Sequence, residues 1–420
     1  GKKLEYTVAF AEILGYYDRG GKWRAMEVAP SPWDIIYEPT EDALRKFPSR
    51  ESSSGNVLMV KIGKARGTSI PVYFDLNAVA KGHLFIAGQT RSGKSSFIIN
   101  LVIHSSKISP KPKFVIFDRR GEYGALEKYG AKTIPYNSFT PPILDPNVII
   151  GKLGLKRAEK DIVFMAVTEL IDEGKGLTRE GIYEKARRIV EKSGIIKKEE
   201  TKLKALESIK WHLDNKGSFI DSIRKPLNII EEVAKNYCTI LDFSVDTDIE
   251  NQQRTATHVI RSIVEHAMER KKSGDFACLI AVEEAQYLCP ERGFEIIDSQ
   301  AQSEARRALI EAISQAGGYN VGLIIMTQRP SYVSKSVISQ ANSVACFRLM
   351  SGNDQKAISD YTEYGGGRLS EYLPGLADHE AMLWGMAVPT PFPIIAEIKV
   401  EEYPRKAAAF AKQAWEKMLS

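Results

Sequence analysis

The sequence contains few cysteines and histidines and no long apolar run. Its six histidines show neither H-E-x-x-H nor H-x-x-E-H spacing. No C-x-x-C pair occurs among its four cysteines, which are Cys238, Cys278, Cys289 and Cys346. These absences argue against a metal cluster and favour free thiols in the core. Because no apolar run is long enough to span a membrane and the N-terminus does not resemble a signal peptide, we expect a cytoplasmic protein without a membrane partner.

The charge of the chain is also modest. Its 420 residues carry a formal net charge of +5, with 26% charged and 43% hydrophobic residues. This net charge neither requires nor excludes a nucleic-acid partner. Binding to a nucleic acid would need basic residues concentrated in one place on the surface. The length is enough for a full α/β core and one or two smaller modules.

Residues 84–101, LFIAGQTRSGKSSFIINL, have the pattern of a phosphate-binding loop between a buried strand and a helix. Gly88 and Gly93 let the backbone fold around a phosphate without a Cβ in the way. Lys94 is predicted to reach the β- and γ-phosphates of ATP, and the Ser95 hydroxyl to ligate Mg²⁺. The predicted nucleotide-binding residues are Gly88, Gln89, Thr90, Arg91, Ser92, Gly93, Lys94, Ser95 and Ser96.

Two acidic residues end a second apolar run, in residues 277–286, ACLIAVEEAQ. A buried strand that ends in two carboxylates offers one group to orient Mg²⁺ and another to polarise the attacking water. We predict that Glu283 is the metal-side acid and that Glu284 is the catalytic base. The alternative is a strand followed by the solvated first turn of a helix, where acidic residues are common.

A third segment, residues 323–331, LIIMTQRPS, places a polar residue at the end of an apolar strand. Gln328 is the candidate sensor of the γ-phosphate, because a side chain at the tip of a strand beside the phosphate loop can respond to that group. The alternative is a strand end followed by a proline stop.

The remaining pattern divides the chain. Strands alternate with helices from residue 81 onward, which predicts an α/β fold with a parallel sheet, and residues 381–385 and 392–400 are expected to close its edge as antiparallel strands. Short β-type runs precede this region, and their alternative interpretation is an edge extension of the main sheet. Thr178 is a good N-cap for a helix within a run of helical periodicity. The predicted parts are a small β-barrel-like module at 1–80, the core at 81–154 and 233–402, a helical insertion at 155–232, and a C-terminal helix at 403–420.

Taken in order, these motifs resemble the HerA/FtsK superfamily of ring-forming DNA translocases, and most closely its HerA-like branch. The resemblance covers about residues 81–400 and is carried by GQTRSGKS, IFDRRGEY, AVEEAQYLCP, IIMTQRPSYVSKSVISQANS and LPGLADHEAMLWG. It implies a RecA-like core, a homo-hexameric ring with ATP at the subunit interfaces, a small N-terminal barrel, an inserted helical bundle, and a NurA-type nuclease as partner.

The sequence departs from the family pattern at two places. Family members usually carry E-G-R-K-Y-G before the sensor strand, which supplies an arginine to the ATP of the neighbouring subunit, whereas residues 315–320 here read QAGGYN. Gly82 also replaces the basic residue usual before the phosphate-loop strand. Either Arg306 or Arg307 substitutes for the missing arginine or hydrolysis is weak, and both arginines could equally be solvated charges on a helix.

The leading hypothesis is an ATP-hydrolysing hexameric motor that translocates double-stranded DNA. Such a ring should hold phosphates rather than bases, and Arg119, Arg120 and Arg254 are the candidate contacts, with ordinary surface charge as the alternative for each. Two other functions stay open. One is a coupling ATPase of the conjugation or secretion type, and the other is a nucleotide-dependent DNA clamp or assembly protein with weak hydrolysis.

Overall fold

The structure is a computed structural model that describes residues 16–17, 23–24, 57–141, 146–172, 177–192, 198–221, 226–295, 299–362, 369–388, 390 and 392–400. The chain divides into a sheet unit, formed by residues up to 136 and from 229, and a helical unit, residues 137–228. No helix within the described ranges is long and apolar enough to cross a membrane.

The first part of the sheet unit contains β1 (Tyr16–Tyr17), β2 (Trp23–Arg24), β3 (Met59–Ala65), β4 (Pro71–Asp75), α1 (Leu76–Gly82), β5 (Leu84–Ala87), α2 (Lys94–Ser105), β6 (Phe114–Asp118) and β7 (Lys132–Pro135). The helical unit contains α3 (Pro146–Leu153), α4 (Arg157–Asp172), α5 (Arg179–Lys192), α6 (Glu199–Lys216) and α7 (Ser218–Asp221). The second part of the sheet unit contains α8 (Ile229–Lys235), β8 (Cys238–Asp242), α9 (Ile249–Glu269), β9 (Cys278–Val282), α10 (Gln300–Gln315), β10 (Val321–Thr327), α11 (Lys335–Ile338), β11 (Ser343–Phe347), α12 (Gly352–Tyr361), α13 (Leu369–Tyr372), β12 (Glu380–Gly385) and β13 (Ile394–Glu397).

One sheet of eleven strands organises the sheet unit, in the order β4-β3-β13-β12-β11-β5-β10-β9-β6-β8-β7. The strands from β11 to β7 are parallel. Parallel sheets are covered on both faces, and every residue of β5, β9 and β10 is buried accordingly. With β10 inserted between β5 and β9, this is the predicted RecA-like P-loop core, and the α/β fold class is confirmed.

The antiparallel end of the sheet differs partly from the prediction. β12 pairs with β11 and β13 with β12, both antiparallel, which confirms the predicted closing strands. β3 and β4, however, were assigned to the module at 1–80 and instead extend the main sheet, with Ala65 opposite Ala396 on β13. They cover a strand edge that would otherwise expose unpaired backbone groups. The predicted strand at residues 6–10 and the predicted helix at 403–420 lie outside the described residues.

The helical unit has a core of its own. The helix predicted after Thr178 is α5, and the Thr178 hydroxyl accepts a hydrogen bond from the N–H of Gly181 at 3.0 Å. The unit spans 137–228 rather than the predicted 155–232, because Ile149, Ile150 and Leu153 of α3 belong to the same apolar cluster as α4 to α6. Helical periodicity over the eight residues of α3 is too short a signal to separate it from the sheet unit.

All four cysteines are buried and unpaired, which confirms the prediction of free thiols. Burial raises the pKa of Cys278 and of Cys289 to about 12. The thiolate, which is the reactive form, is therefore scarce at both positions near neutral pH.

Candidate nucleotide-binding site

Four neighbouring parallel strands bring the predicted site residues to one edge of the sheet. β5, β10, β9 and β6 lie side by side in this order. Their carboxyl ends lead into the phosphate loop, Gln328, the pair Glu283 and Glu284, and the turn at residues 119–123, respectively. In open α/β sheets, ligands bind at the carboxyl ends of the strands, so the topology itself places the three predicted motifs together.

The phosphate loop is closely packed against the end of β11. A Cβ added to Gly88 would lie 2.5 Å from the Cβ of Phe347, and one added to Gly93 would lie 2.8 Å from Cε1 of the same ring. Gly93 also has a φ of 123°, a backbone conformation that residues other than glycine rarely adopt. The two glycines are thus required by space as well as by backbone conformation.

Helix α2 fixes the loop to the core through its apolar residues. Phe97, Ile98 and Leu101 are fully buried, and burying such side chains stabilises the fold by about 1.5–3 kcal/mol each. Phe97 meets Phe74 of β4 edge to face, with ring centroids 5.4 Å apart. The helix N-terminus, whose free N–H groups and dipole favour anions, is therefore held rigidly behind the loop.

Lys94 lies inside the loop. Its ammonium donates hydrogen bonds to the carbonyl oxygens of Gly88 at 2.7 Å and Gln89 at 3.1 Å. Burial lowers the pKa of Lys94, while the charge of Glu284 acts in the opposite direction. The ammonium is thus enclosed by the carbonyls of the loop, and its contact with the β- and γ-phosphates stays a prediction.

The turn after β6 brings another acid to the predicted metal ligand Ser95. The Ser95 hydroxyl donates a hydrogen bond to a carboxylate oxygen of Glu122. Asp118 shapes this turn, because its carboxylate accepts from the N–H groups of Arg120 at 3.2 Å, Glu122 at 3.0 Å and Tyr123 at 3.0 Å. Burial raises the pKa of Asp118 to about 6. The sequence analysis missed Glu122, although it lies in the IFDRRGEY motif.

Glu283 stands close to these groups in a buried position. It is only 8% exposed and accepts a hydrogen bond from the N–H of Arg119 at 3.0 Å. Burial, followed by the charges of Asp118, Glu122 and Glu284, raises the pKa of Glu283 to about 8. A cation placed there would relieve this repulsion, and the donor set of hydroxyl and carboxylate oxygens fits Mg²⁺.

The carboxylate of Glu284 is held from two sides. Its Oε1 accepts a hydrogen bond from Arg120 Nη2 and its Oε2 from Gln286 Nε2, both at 2.8 Å. Gln286 in turn accepts from the hydroxyl of Thr327 at 2.8 Å. Glu284 is 3% exposed, which contradicts the alternative of a solvated first helical turn. Its φ of 50° is unusual for this residue type, and such conformations concentrate at functional sites.

The candidate sensor contacts the phosphate loop directly. The Oε1 of Gln328 accepts a hydrogen bond from the Thr90 hydroxyl at 2.5 Å. Its neighbour Thr327 is joined through Gln286 to Glu284. The end of β10 therefore connects the loop with the candidate base, and Gln286 is a second residue that the sequence analysis did not single out.

The three arginines predicted to contact DNA have partners within the chain. The Arg119 guanidinium lies 3.5 Å from the centroid of the Tyr287 ring and donates to Gln252 at 2.7 Å. Arg120 pairs with Glu284 as described. Arg254 on α9 donates to Asn251 at 3.1 Å. Their role in DNA contact stays a prediction.

The two candidate substitutes for the missing arginine lie on α10. Arg307 forms an exposed ion pair with Glu311 at 3.6 Å, whereas Arg306 lies beside Cys289. Their role also stays a prediction. At Gly317, where the family motif has arginine, a Cβ would lie 2.2 Å from the carbonyl oxygen of Lys81, whereas nothing lies within 4 Å of one at Gly318. The chain thus has no room for a side chain at the first of these positions.

The chain is similar to several known proteins. The family described as "Helicase HerA, central domain" matches residues 60–263. The DNA double-strand break repair helicase HerA of Saccharolobus solfataricus is 24% identical over 429 residues, covering 96% of this chain and 78% of that protein. Its counterpart from Sulfurisphaera tokodaii is 24% identical over 371 residues, covering 83% and 70%. Among solved structures, VirB4 of Thermoanaerobacter pseudethanolicus is similar with a TM-score of 0.49 and 13% identity, covering 82% of this chain and 97% of that one.

Proposed function

Because the chain is a HerA-like P-loop ATPase, we propose that it hydrolyses ATP with Mg²⁺ to move along double-stranded DNA. The relatives named above are DNA repair helicases. The observation that carries the proposal is the meeting of phosphate loop, paired glutamates and Gln328 at one edge of the sheet. That set offers groups to bind the phosphates, to hold Mg²⁺, to orient the attacking water and to sense the γ-phosphate.

The geometry supports a separate role for each of these residues. Lys94 and the loop N–H groups would bind the phosphates, while Ser95 and Glu283 would hold Mg²⁺, which would supply positive charge to neutralise the phosphate oxygens. Glu284 orients the attacking water and accepts its proton. Gln328 responds to the γ-phosphate through its contact with Thr90.

Assembly and partners are part of the same proposal. Family resemblance suggests a homo-hexamer in which each ATP lies between two subunits, with Arg306 or Arg307 serving the neighbour. A NurA-type nuclease is the expected partner. DNA phosphates would be held by arginines such as Arg254.

One observation favours a second function, a nucleotide-dependent DNA clamp with weak hydrolysis. An arginine contributed by a neighbouring subunit accelerates phosphoryl transfer by about 10³–10⁵-fold, and Gly317 leaves no room for one at the family position. If no other residue replaces it, the protein would bind ATP and DNA but turn over slowly.

Steady-state ATP hydrolysis distinguishes the two functions. Wild type and Glu284→Gln are compared with and without linear duplex DNA, and the particle mass is measured by light scattering. A motor predicts turnover stimulated by duplex, lost in the variant, in a particle of six chains. Slow turnover indifferent to DNA in a smaller particle contradicts the motor and supports the clamp.

A further inference from the structure

We propose that Arg120 is an arginine acting within its own chain, which exchanges the carboxylate of Glu284 for the γ-phosphate of ATP. It would thereby couple the arrival of a triphosphate to the release of the candidate base. The inference rests on the proposed ATP hydrolysis and gives Arg120 a role other than DNA contact.

The contact between the two side chains is asymmetric. Arg120 Nη2 lies 2.8 Å from Glu284 Oε1, yet the arginine side chain is 37% exposed and the glutamate side chain only 4%. The arginine reaches in from the rim and can turn away into solvent, whereas the glutamate is enclosed. Gln286 holds the second oxygen of Glu284 at 2.8 Å, so the carboxylate keeps its orientation when the arginine leaves.

The guanidinium also lies within electrostatic reach of the phosphate position. Burial is the main cause of the lowered pKa of Lys94, but the charge of Arg120 lowers it as well. Two residues further along the same turn, Glu122 accepts a hydrogen bond from Ser95. Arg120 thus belongs to a turn that already contacts the loop at the expected metal and γ-phosphate end.

The contacts of the two neighbouring arginines explain why a phosphate would attract Arg120 rather than Arg119. Arg119 is fixed on the Tyr287 ring and by Gln252. The planar guanidinium of Arg120 can bind two phosphate oxygens at once, and charge-assisted bonds of this kind are strong. ADP lacks the γ-phosphate and would leave Arg120 on Glu284, so the base becomes available only when there is a bond to hydrolyse.

Equilibrium binding of ADP and of ATPγS, both with Mg²⁺, tests the exchange. We expect Arg120→Gln to weaken ATPγS about tenfold, the value of one charge-assisted hydrogen bond, and ADP by less than about twofold. Arg120→Lys should keep part of the preference for ATPγS over ADP, because lysine retains the positive charge but cannot bind two phosphate oxygens with a planar guanidinium. Arg270→Gln is the matched control, since Arg270 pairs with Asp275 at 3.1 Å on an exposed surface, and it should change neither affinity.

A double-mutant cycle separates exchange from simple electrostatics. Glu284→Gln removes the competitor for Arg120 and should tighten ATPγS several-fold more than ADP. That gain should vanish in the double variant Arg120→Gln with Glu284→Gln, because no arginine is left to transfer. A general charge effect would instead persist in the double variant and would affect ADP as well.

Two results would overturn the exchange. The first is an unchanged ratio of ATPγS to ADP affinity in a folded Arg120→Gln protein whose ATP turnover has fallen, because Arg120 would then only hold Glu284 in place. The second is a Glu284→Gln gain that survives in the double variant. Failure of the wild type to bind either nucleotide would refute the proposed function itself, which is a different outcome.

Discussion

The sharpest stability prediction concerns two adjacent glycines with opposite surroundings. A Cβ on Gly317 would lie 2.2 Å from the carbonyl oxygen of Lys81, while ordinary contact begins near 3.4 Å. Gly317→Ala must therefore push the end of α1 away by about 1 Å, and overpacking of this kind costs about 3 kcal/mol. Gly318→Ala meets nothing within 4 Å, and its reduced freedom in the unfolded chain should stabilise by about 0.5 kcal/mol.

Urea unfolding of the two variants beside the wild type measures this difference. We expect the free energies of unfolding to differ by about 3.5 kcal/mol, with Gly317→Ala the less stable. Both changes add the same methyl group at neighbouring positions, so chemistry and location along the chain are matched. Equal stabilities would refute the close approach of residue 317 to α1 and, with it, the steric reason for the missing family arginine.

Four other outcomes follow from the site. Gly318→Arg should raise ATP turnover at least about tenfold in the assembled protein if a missing arginine limits it, as measured by phosphate release. Gly93→Ala should abolish nucleotide binding in a titration, because its Cβ would lie 2.8 Å from the Phe347 ring. The pKa of Glu283 is about 8 in the folded protein against 4.5 ordinarily, so the folded protein retains a proton that the unfolded chain loses, and the free energy of unfolding should fall as pH rises through that window. Glu283→Gln should flatten this slope in urea titrations at several pH values. Gln328→Ala should lower ATP turnover with little change in ADP affinity, because it removes the contact with Thr90.

The parts of the site that could be predicted are those encoded within a few consecutive residues. A strand, a glycine-rich turn and a helix start can be recognised locally, and the carboxylates at 283 and 284 directly follow an unbroken apolar run. Because parallel strands end at the same edge of the sheet, the order of the strands brings these motifs together. The α/β fold class with a parallel sheet was predictable from the alternation of strands and helices, whereas the RecA-like core was implied only by the family resemblance.

The parts that could not be predicted depend on pairings between distant residues. Glu122 becomes a site residue through Ser95, 27 positions away, and Gln286 connects its neighbour Glu284 with Thr327, 41 positions away. No local pattern distinguishes such a glutamine or glutamate from a surface side chain. Likewise, β3 pairs with β13, which lies more than 300 residues later in the sequence. The sequence pattern of a strand does not show which distant strand it will pair with.

One side chain on α2 joins segments that lie far apart in the sequence, and this has a consequence for how the protein folds during synthesis. Asn100 on α2 donates hydrogen bonds to the carbonyls of Ile62 and Lys399, so the helix behind the phosphate loop is held by two residues that are synthesised far apart in time. After β5 and α2 have been synthesised, about 300 further residues must follow before the hydrogen bond between Asn100 and Lys399 can form. We expect the helix behind the loop to reach its final fixed position late, only after residue 399 has been synthesised and has left the ribosome.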